Sequence, residues 1–267
     1  MTMTNDPAAP APGDVDAFAE RIFGAVLGAQ LTQAIDLGDR LGWYRALADG
    51  GPATSGELAA RTGSAERYAR EWLEHQAACG VLTVDDAGAP PDERRFALPA
   101  AHAAVLADHD SVAFMTPVAR FTTASGQAID RIADAYRTGG GVSWAELGDE
   151  AREAQAAANR PLFLHRLSQE LLPQAADVHA RLQRASRIAD VGCGYGWSSL
   201  GLARAYPGVA VDGYDVDEPS VMAARRNAHE AGVADRVAFT SDDVGGLGDD
   251  RVGAYDAVFA FECVHDM

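Results

Sequence analysis

Lysine is absent from this chain of 267 residues, and each of its 22 basic side chains is arginine. That absence removes the lysine of a P-loop and the lysine of a Schiff base, so phosphoryl transfer of the P-loop type and pyridoxal chemistry are excluded. Positive charge is scarce altogether: 39 acidic residues leave a formal charge of −17. A surface of that sign repels phosphate backbones and anionic lipid, which disfavours nucleic-acid and membrane partners. Cysteine is sparse too. Cys79, Cys193 and Cys263 lie far apart and form no metal-spaced pair, so no metal site is expected. No apolar run is long enough to span a bilayer and no signal peptide is evident, so the expected location is the reducing cytoplasm.

What is present suits a globular protein of one or two domains, with 48% hydrophobic residues. Residues 1–13, rich in Ala, Pro and Thr, read as a disordered tail. From Asp14 onward Phe18, Ile22, Phe23, Val26, Leu27, Leu31, Ile35, Leu37 and Leu41 recur at helical spacing, in one long helix or two short ones. An apolar face that wide predicts core packing or a face against a second copy of the chain.

The next segment has its own pattern. Thr54-Ser55-Gly56-Glu57 is a capping box that opens a short helix through Ala60, and Thr62-Gly63-Ser64 makes a turn. A longer helix follows from about Ala65 to Ala78, with Tyr68, Trp72 and Leu73 on one face that should be buried. Val81-Leu82-Thr83-Val84, a Gly/Pro-rich stretch from Asp85 to Arg95, and Phe96-Ala97-Leu98 complete a hairpin. Helix, turn, helix and hairpin describe a winged helix. A recognition helix must neutralise phosphates before it reads bases, yet Glu57, Glu66, Glu71, Glu74 and Asp85 outnumber Arg61, Arg67 and Arg70. The module, assigned to residues 14–108, is therefore expected to dimerise or to cover substrate. With Tyr68-Ala69-Arg70-Glu71-Trp72-Leu73 it resembles the N-terminal module that some bacterial small-molecule methyltransferases carry.

Residues 109–184 read as a helical linker and cleft cover, broken at Gly139-Gly140-Gly141 and at Pro161. Within it Trp144 and Phe163 are expected to pack, Arg160 and Arg166 to be solvated, and His165 is a further polar residue near the cleft.

The most informative stretch is Ile188-Ala189-Asp190-Val191-Gly192-Cys193-Gly194-Tyr195-Gly196, followed by a helix-compatible segment from Trp197. It predicts a buried strand, a tight turn and a helix start. Glycine suits such a turn because it reaches positive φ and lets a ligand touch the backbone. The dinucleotide fingerprint G-x-G-x-x-G would need glycine at 197, where Trp stands. A second apolar run ends at Asp215, roughly 20 positions on, where an acid at a strand tip accepts hydrogen bonds from ribose hydroxyls. Pro219 opens a helix that Gly232 stops. Arg236-Val237-Ala238-Phe239 leads to Ser241-Asp242-Asp243, and a fourth run ending at Phe261 delivers Glu262 and His265. Polar residues at four strand tips predict an α/β fold over residues 185–267 with a Rossmann-like parallel sheet of about four strands.

The pattern D-x-G-x-G-x-G with these strand tips resembles the class I S-adenosylmethionine-dependent methyltransferases. The resemblance implies that Asp190, Gly192, Gly194 and Gly196 hold the amino-acid end of S-adenosyl-L-methionine, and that Asp215 takes the ribose. It further implies that Val216 packs on the adenine and that Asp243, better spaced than Asp242, bonds the adenine amino group. Phe261 and Glu262 complete the expected cofactor set. Transfer of the sulfonium methyl to a small-molecule acceptor needs chiefly in-line alignment and exclusion of water. If the acceptor is a hydroxyl, His265 is the candidate catalytic base by type and position, with a strand-end histidine lining the pocket as the alternative. Cys193 and Cys263 beside the cleft read as small packing residues. In the resembled fold the sheet continues past the fourth strand, so the chain is expected to be a truncated product with an apolar sheet edge. The alternatives are a winged-helix transcriptional regulator with a cofactor-sensing domain, and a catalytically silent dimeric relative.

Overall fold

The computed structural model describes residues 13–184, 186–248 and 251–266. The tail expected over 1–13 lies outside them except for Gly13. The chain divides into two compact units, one through Ala103 and one from Ala104 onward. Among the described residues no helix is long and apolar enough to cross a membrane.

The first unit opens with α1 (Val15–Arg40), a single helix where either one or two were open, N-capped by Asp14, whose carboxylate accepts the Ala17 N–H at 3.0 Å. It continues through α2 (Trp43–Gly50), α3 (Ser55–Thr62), α4 (Glu66–Ala78) and the antiparallel pair β1 (Thr83–Val84) and β2 (Phe96–Ala97). The α3 capping box is closed in both directions: Thr54 Oγ1 accepts the Glu57 N–H at 3.3 Å, and Glu57 Oε2 accepts the Thr54 N–H at 3.0 Å. Trp43, Tyr44, Leu47, Leu58, Leu73 and Phe96 form the buried centre. α1 seats on α4 at a glycine. A Cβ at Gly38 would stand 2.4 Å from the Trp72 ring, and that closeness lets the Trp72 indole N–H donate to the Ala34 carbonyl at 2.8 Å.

Trp72 and Leu73 are buried as expected, but Tyr68 is 72% exposed. Tyr68 lies where the space between α1 and α4 stays open as a groove of about 640 Å³ lined by Ala34, Leu37, Leu41 and Trp72, so its i+4 partner fills the contact and it does not. Along α1 itself Phe18, Ile22, Phe23, Val26 and Leu27 face solvent.

α5 (Ala100–Leu106) spans the division between the units. The second unit then runs through α6 (Thr116–Gln127), α7 (Ile129–Thr138), α8 (Trp144–Leu147) and α9 (Asp149–Pro161). Pro161 does not break this helix. Its missing N–H falls at the junction where α9 passes directly into a π-helix, Leu162–Leu171, so the wide turns take over where an ordinary i−4 bond would be lost. After α10 (Ala176–Leu182) come β3 (Ser186–Val191), α11 (Trp197–Ala205), β4 (Val209–Asp215), α12 (Glu218–Glu230), β5 (Val237–Ser241) and β6 (Ala257–Ala260).

These strands form a parallel sheet in the order β5-β4-β3-β6. Ile188, Val209, Val211, Val237 and Phe239 fill its core together with Leu200 and Leu202 of α11 and Val221 of α12. The π-helix packs on α11 at Gly201, where a Cβ would stand 2.3 Å from the Phe163 carbonyl oxygen. β6 is the edge strand, with Val258 exposed. Successive strands step from β3 to β5 on one side and β6 lies on the other, so the order reverses at β3. In open α/β sheets that reversal leaves a crevice at the strands' carboxyl ends.

Candidate active site at the carboxyl ends of the strands

The crevice is where the glycine turn sits. Gly192, Gly194 and Gly196 have φ of 66°, 51° and 78°, a run of left-handed residues that L side chains rarely adopt. The three do different work. At Gly192 a Cβ would meet the Cys263 Cβ at 2.5 Å, and at Gly196 it would meet the Phe239 ring at 2.5 Å, so these two exist for close packing. At Gly194 nothing lies within 4 Å, so this backbone faces open space that a ligand can enter. The turn is held from outside by Asn227 of α12, whose side-chain amide donates to the Tyr195 carbonyl at 2.9 Å.

Asp215, at the tip of β4, meets this turn. Its Oδ2 accepts the Gly194 N–H at 2.8 Å and its Oδ1 accepts the Asp217 N–H at 2.9 Å. Burial raises this carboxyl above its ordinary range, and the two N–H donors work against that rise. An ionised carboxylate has about four lone-pair sites, so about two remain for incoming donors. A vicinal diol has two hydroxyls to give.

Asp190 is 1% exposed and lies below the turn. Both Ser198 and Ser199, in the first turn of α11, donate their hydroxyls to its Oδ2 at 2.6 Å. Among the described residues its Oδ1 has no hydrogen-bond partner. Burial pushes the carboxyl up to about 6 despite the two serines. Asp190 thus ties strand to helix and keeps one buried oxygen unpartnered.

The remaining expected residues follow the ends of β4, β5 and β6. Val216, 71% exposed, projects at the β4 tip. Asp242 donates its backbone N–H to the Asp215 carbonyl, which holds the tips of β4 and β5 together. Asp243 turns Oδ1 into its own loop, accepting the Gly245 N–H at 2.8 Å. Phe261 stacks on Phe259 and lies 5.5 Å from Phe163 of the π-helix, ring centre to ring centre. Glu262 has φ of 57°, the sole non-glycine with positive φ among the described residues. That turn carries Cys263 under Gly192, where its Sγ–H donates to the Val191 carbonyl at 3.2 Å, and starts the short 3₁₀ turn Val264–Asp266 that bears an exposed His265. Cys193 is buried and its thiol is pushed up by burial, which fits a packing residue and not a nucleophile. Among the described residues no cluster of His, Cys, Asp and Glu could hold a metal ion.

Two features escaped the sequence reading. Arg160, expected to be solvated, pairs with Asp110 at 2.6 Å and lies 5.3 Å over the Trp197 ring, beside the turn. Arg152 of α9, buried, pairs with Asp217 at 2.8 Å. Neither pair has a local pattern, because 50 and 65 positions separate the partners.

Two family models match the chain: a Rv2258c-like winged HTH domain over residues 29–108 and a methyltransferase domain over residues 188–267. No curated protein matches it by sequence. Among solved structures, mitomycin 7-O-methyltransferase is 25% identical with a TM-score of 0.66, covering 94% of this chain and 73% of its own. An O-methyltransferase-like protein from Nostoc punctiforme is 21% identical with a TM-score of 0.65, covering 94% and 70%. Human N-acetylserotonin methyltransferase, solved with S-adenosylmethionine, is 19% identical with a TM-score of 0.55, covering 91% and 68%. The latter two likenesses speak to the fold. The chain thus joins a helical winged helix-turn-helix domain to an α/β methyltransferase domain, as its motifs predict.

Proposed function

We propose that the protein is an S-adenosyl-L-methionine-dependent methyltransferase acting on a small molecule. One observation carries the reading: the open backbone of Gly194 is hydrogen-bonded to a carboxylate, Asp215, that keeps acceptor capacity for a ribose diol. The residues present fit the cofactor. Gly192, Gly194 and Gly196 would hold its amino-acid end, with the unpartnered Oδ1 of Asp190 beneath them, and Asp215 would take the ribose. Val216 would offer an apolar side chain for the adenine, and Asp242, Asp243, Phe261 and Glu262, just past the ends of β5 and β6, would border the same crevice. When bound, the cofactor supplies an electrophilic methyl group on a sulfonium leaving group.

The chain's own task is then alignment and exclusion of water. Phe163, Phe259 and Phe261 pack ring against ring, an apolar cluster that would help keep water out. His265, exposed past β6, is the residue we assign as base toward a hydroxyl acceptor, its imidazole taking the proton as the oxygen is alkylated. The likeness to mitomycin 7-O-methyltransferase supports oxygen as the accepting atom. Assembly as a homodimer through the exposed apolar side of α1 belongs to the same proposal, as does a cytoplasmic location.

Calorimetric titration with S-adenosylmethionine and, separately, with a nicotinamide dinucleotide tests it. Heat from the first and none from the second is expected; saturable binding of the dinucleotide alone overturns the reading.

A further inference from the structure

We propose that Arg152 is a positioning residue for cofactor binding, acting through Asp217 to fix the turn that presents Asp215. The proposal rests on the cofactor reading above and extends it to the helical segment ahead of the sheet.

Arg152 lies on α9, and its side chain is 6% exposed. Its Nη2 donates to Asp217 Oδ1 at 3.0 Å, and on the same edge of the guanidinium its Nε stands 2.8 Å from Oδ2 in an ion pair without hydrogen-bond geometry, so one hydrogen bond and close charge hold the two together. A third nitrogen, Nη1, donates to Asp149 Oδ1 at 2.6 Å, one turn back on the same helix. Asp217 is itself 10% exposed in its side chain. It also caps α12, accepting the Ser220 N–H at 3.1 Å and the Ser220 hydroxyl at 2.7 Å. Its own backbone N–H is the one that donates to Asp215 Oδ1. An unbroken line of hydrogen bonds therefore runs from Arg152 through Asp217 and Asp215 to the N–H of Gly194.

Packing alone does not ask for this pair. Replacing a buried ion pair by apolar side chains is often neutral or stabilising, because desolvation offsets the attraction. What a planar guanidinium adds is direction, here held by one hydrogen bond to Asp217 on one side and one to Asp149 on the other. It fixes how the Asp215-Val216-Asp217 turn lies over the sheet, and so where the free lone pairs of Asp215 point. Charge adds a second effect. The Asp217 carboxylate repels that of Asp215, and Arg152 screens that repulsion at close range.

The test uses the full chain with Arg152→Gln, Arg152→Lys and the double variant Arg152→Met with Asp217→Ser, which removes both charges and keeps a good helix cap. Affinity for S-adenosylmethionine is measured by calorimetry on folded protein, alongside the unfolding temperature. The expected result is a loss of tenfold or more for Arg152→Gln and for the double variant, with part of it restored in Arg152→Lys. A purely structural role would lower the unfolding temperature and leave the affinity of the folded fraction unchanged. Affinity within twofold of wild type in a folded Arg152→Gln, or in the double variant should the first not fold, overturns the proposal. If wild type does not bind S-adenosylmethionine, the cofactor reading itself falls, and this proposal with it.

Discussion

The Gly194 N–H reaches Asp215 Oδ2 across 2.8 Å, so the glycine turn after β3 and the acid at the tip of β4 form one unit and not two adjacent features. Removing the acid removes both a support of the turn and the proposed ribose acceptor. Asp215→Ala should weaken S-adenosylmethionine binding by about 2–3 kcal/mol, roughly 30- to 150-fold, as expected for hydrogen bonds to a charged group. Titration calorimetry measures it, and an unchanged affinity refutes the assignment.

The carboxyl of Asp190 sets a pH dependence whose sign can be worked out. Its folded value, pushed up to about 6, lies above the unfolded 3.8. Between those values the folded form keeps a proton the unfolded chain has lost, so stability falls as pH rises and levels off above about 6. Asp190→Asn stays neutral throughout and can still accept both serine hydroxyls. Its advantage over wild type should therefore be small near pH 4 and grow to about 3 kcal/mol by pH 8. Urea unfolding at those two pH values, without cofactor, reads the difference.

Gly201 allows α11 to lie against the π-helix. Gly201→Ala places a methyl 2.3 Å from a carbonyl oxygen on a backbone that has no side chain to rotate away. A loss of about 1–3 kcal/mol in stability is expected. Thermal unfolding checks it, with Gly126→Ala on α6, where nothing lies within 4 Å, as the substitution that should not clash.

Glu262 bears a left-handed backbone immediately after β6. Glu262 already carries the cost of that conformation, so Glu262→Val, which adds β-branching, should destabilise further, while Glu262→Asn should be neutral to stabilising by up to about 1 kcal/mol. If the strain also aims His265, Glu262→Val lowers turnover more than it lowers folded protein. Comparing methyl transfer per folded molecule separates the two effects.

What could be read from the chain alone was chemistry that is local or strictly spaced. The Thr54–Glu57 capping box closes within one turn, and the glycines of 192–196 announce themselves by their alternation. Asp215 is legible because a strand tip lies a fixed length of chain beyond the turn. Arg152 was not, since nothing in the polar run of α9 marks it for burial and its partner is 65 positions away. Tyr68 shows the limit of periodicity: i,i+4 spacing with Trp72 says which side of α4 it lies on, not whether anything covers that side. Pro161 shows the limit of breaker rules, because a π-helix absorbs what an α-helix rejects. Ser198 and Ser199 look like ordinary residues of a helix start until Asp190 is seen beneath them.

Only the final turns of α1 are anchored, where Ala34 and Gly38 meet Trp72, while Phe18 to Leu27 leave their apolar side in water. Such a helix is two kinetic bodies on one axis. Backbone amides past Ala34 should trade hydrogen for deuterium slowly and those nearer Val15 quickly, because local opening is easiest where few buried contacts resist it. Pairing of two copies along that side would erase the gradient, making the exchange profile of one helix a direct reading of association.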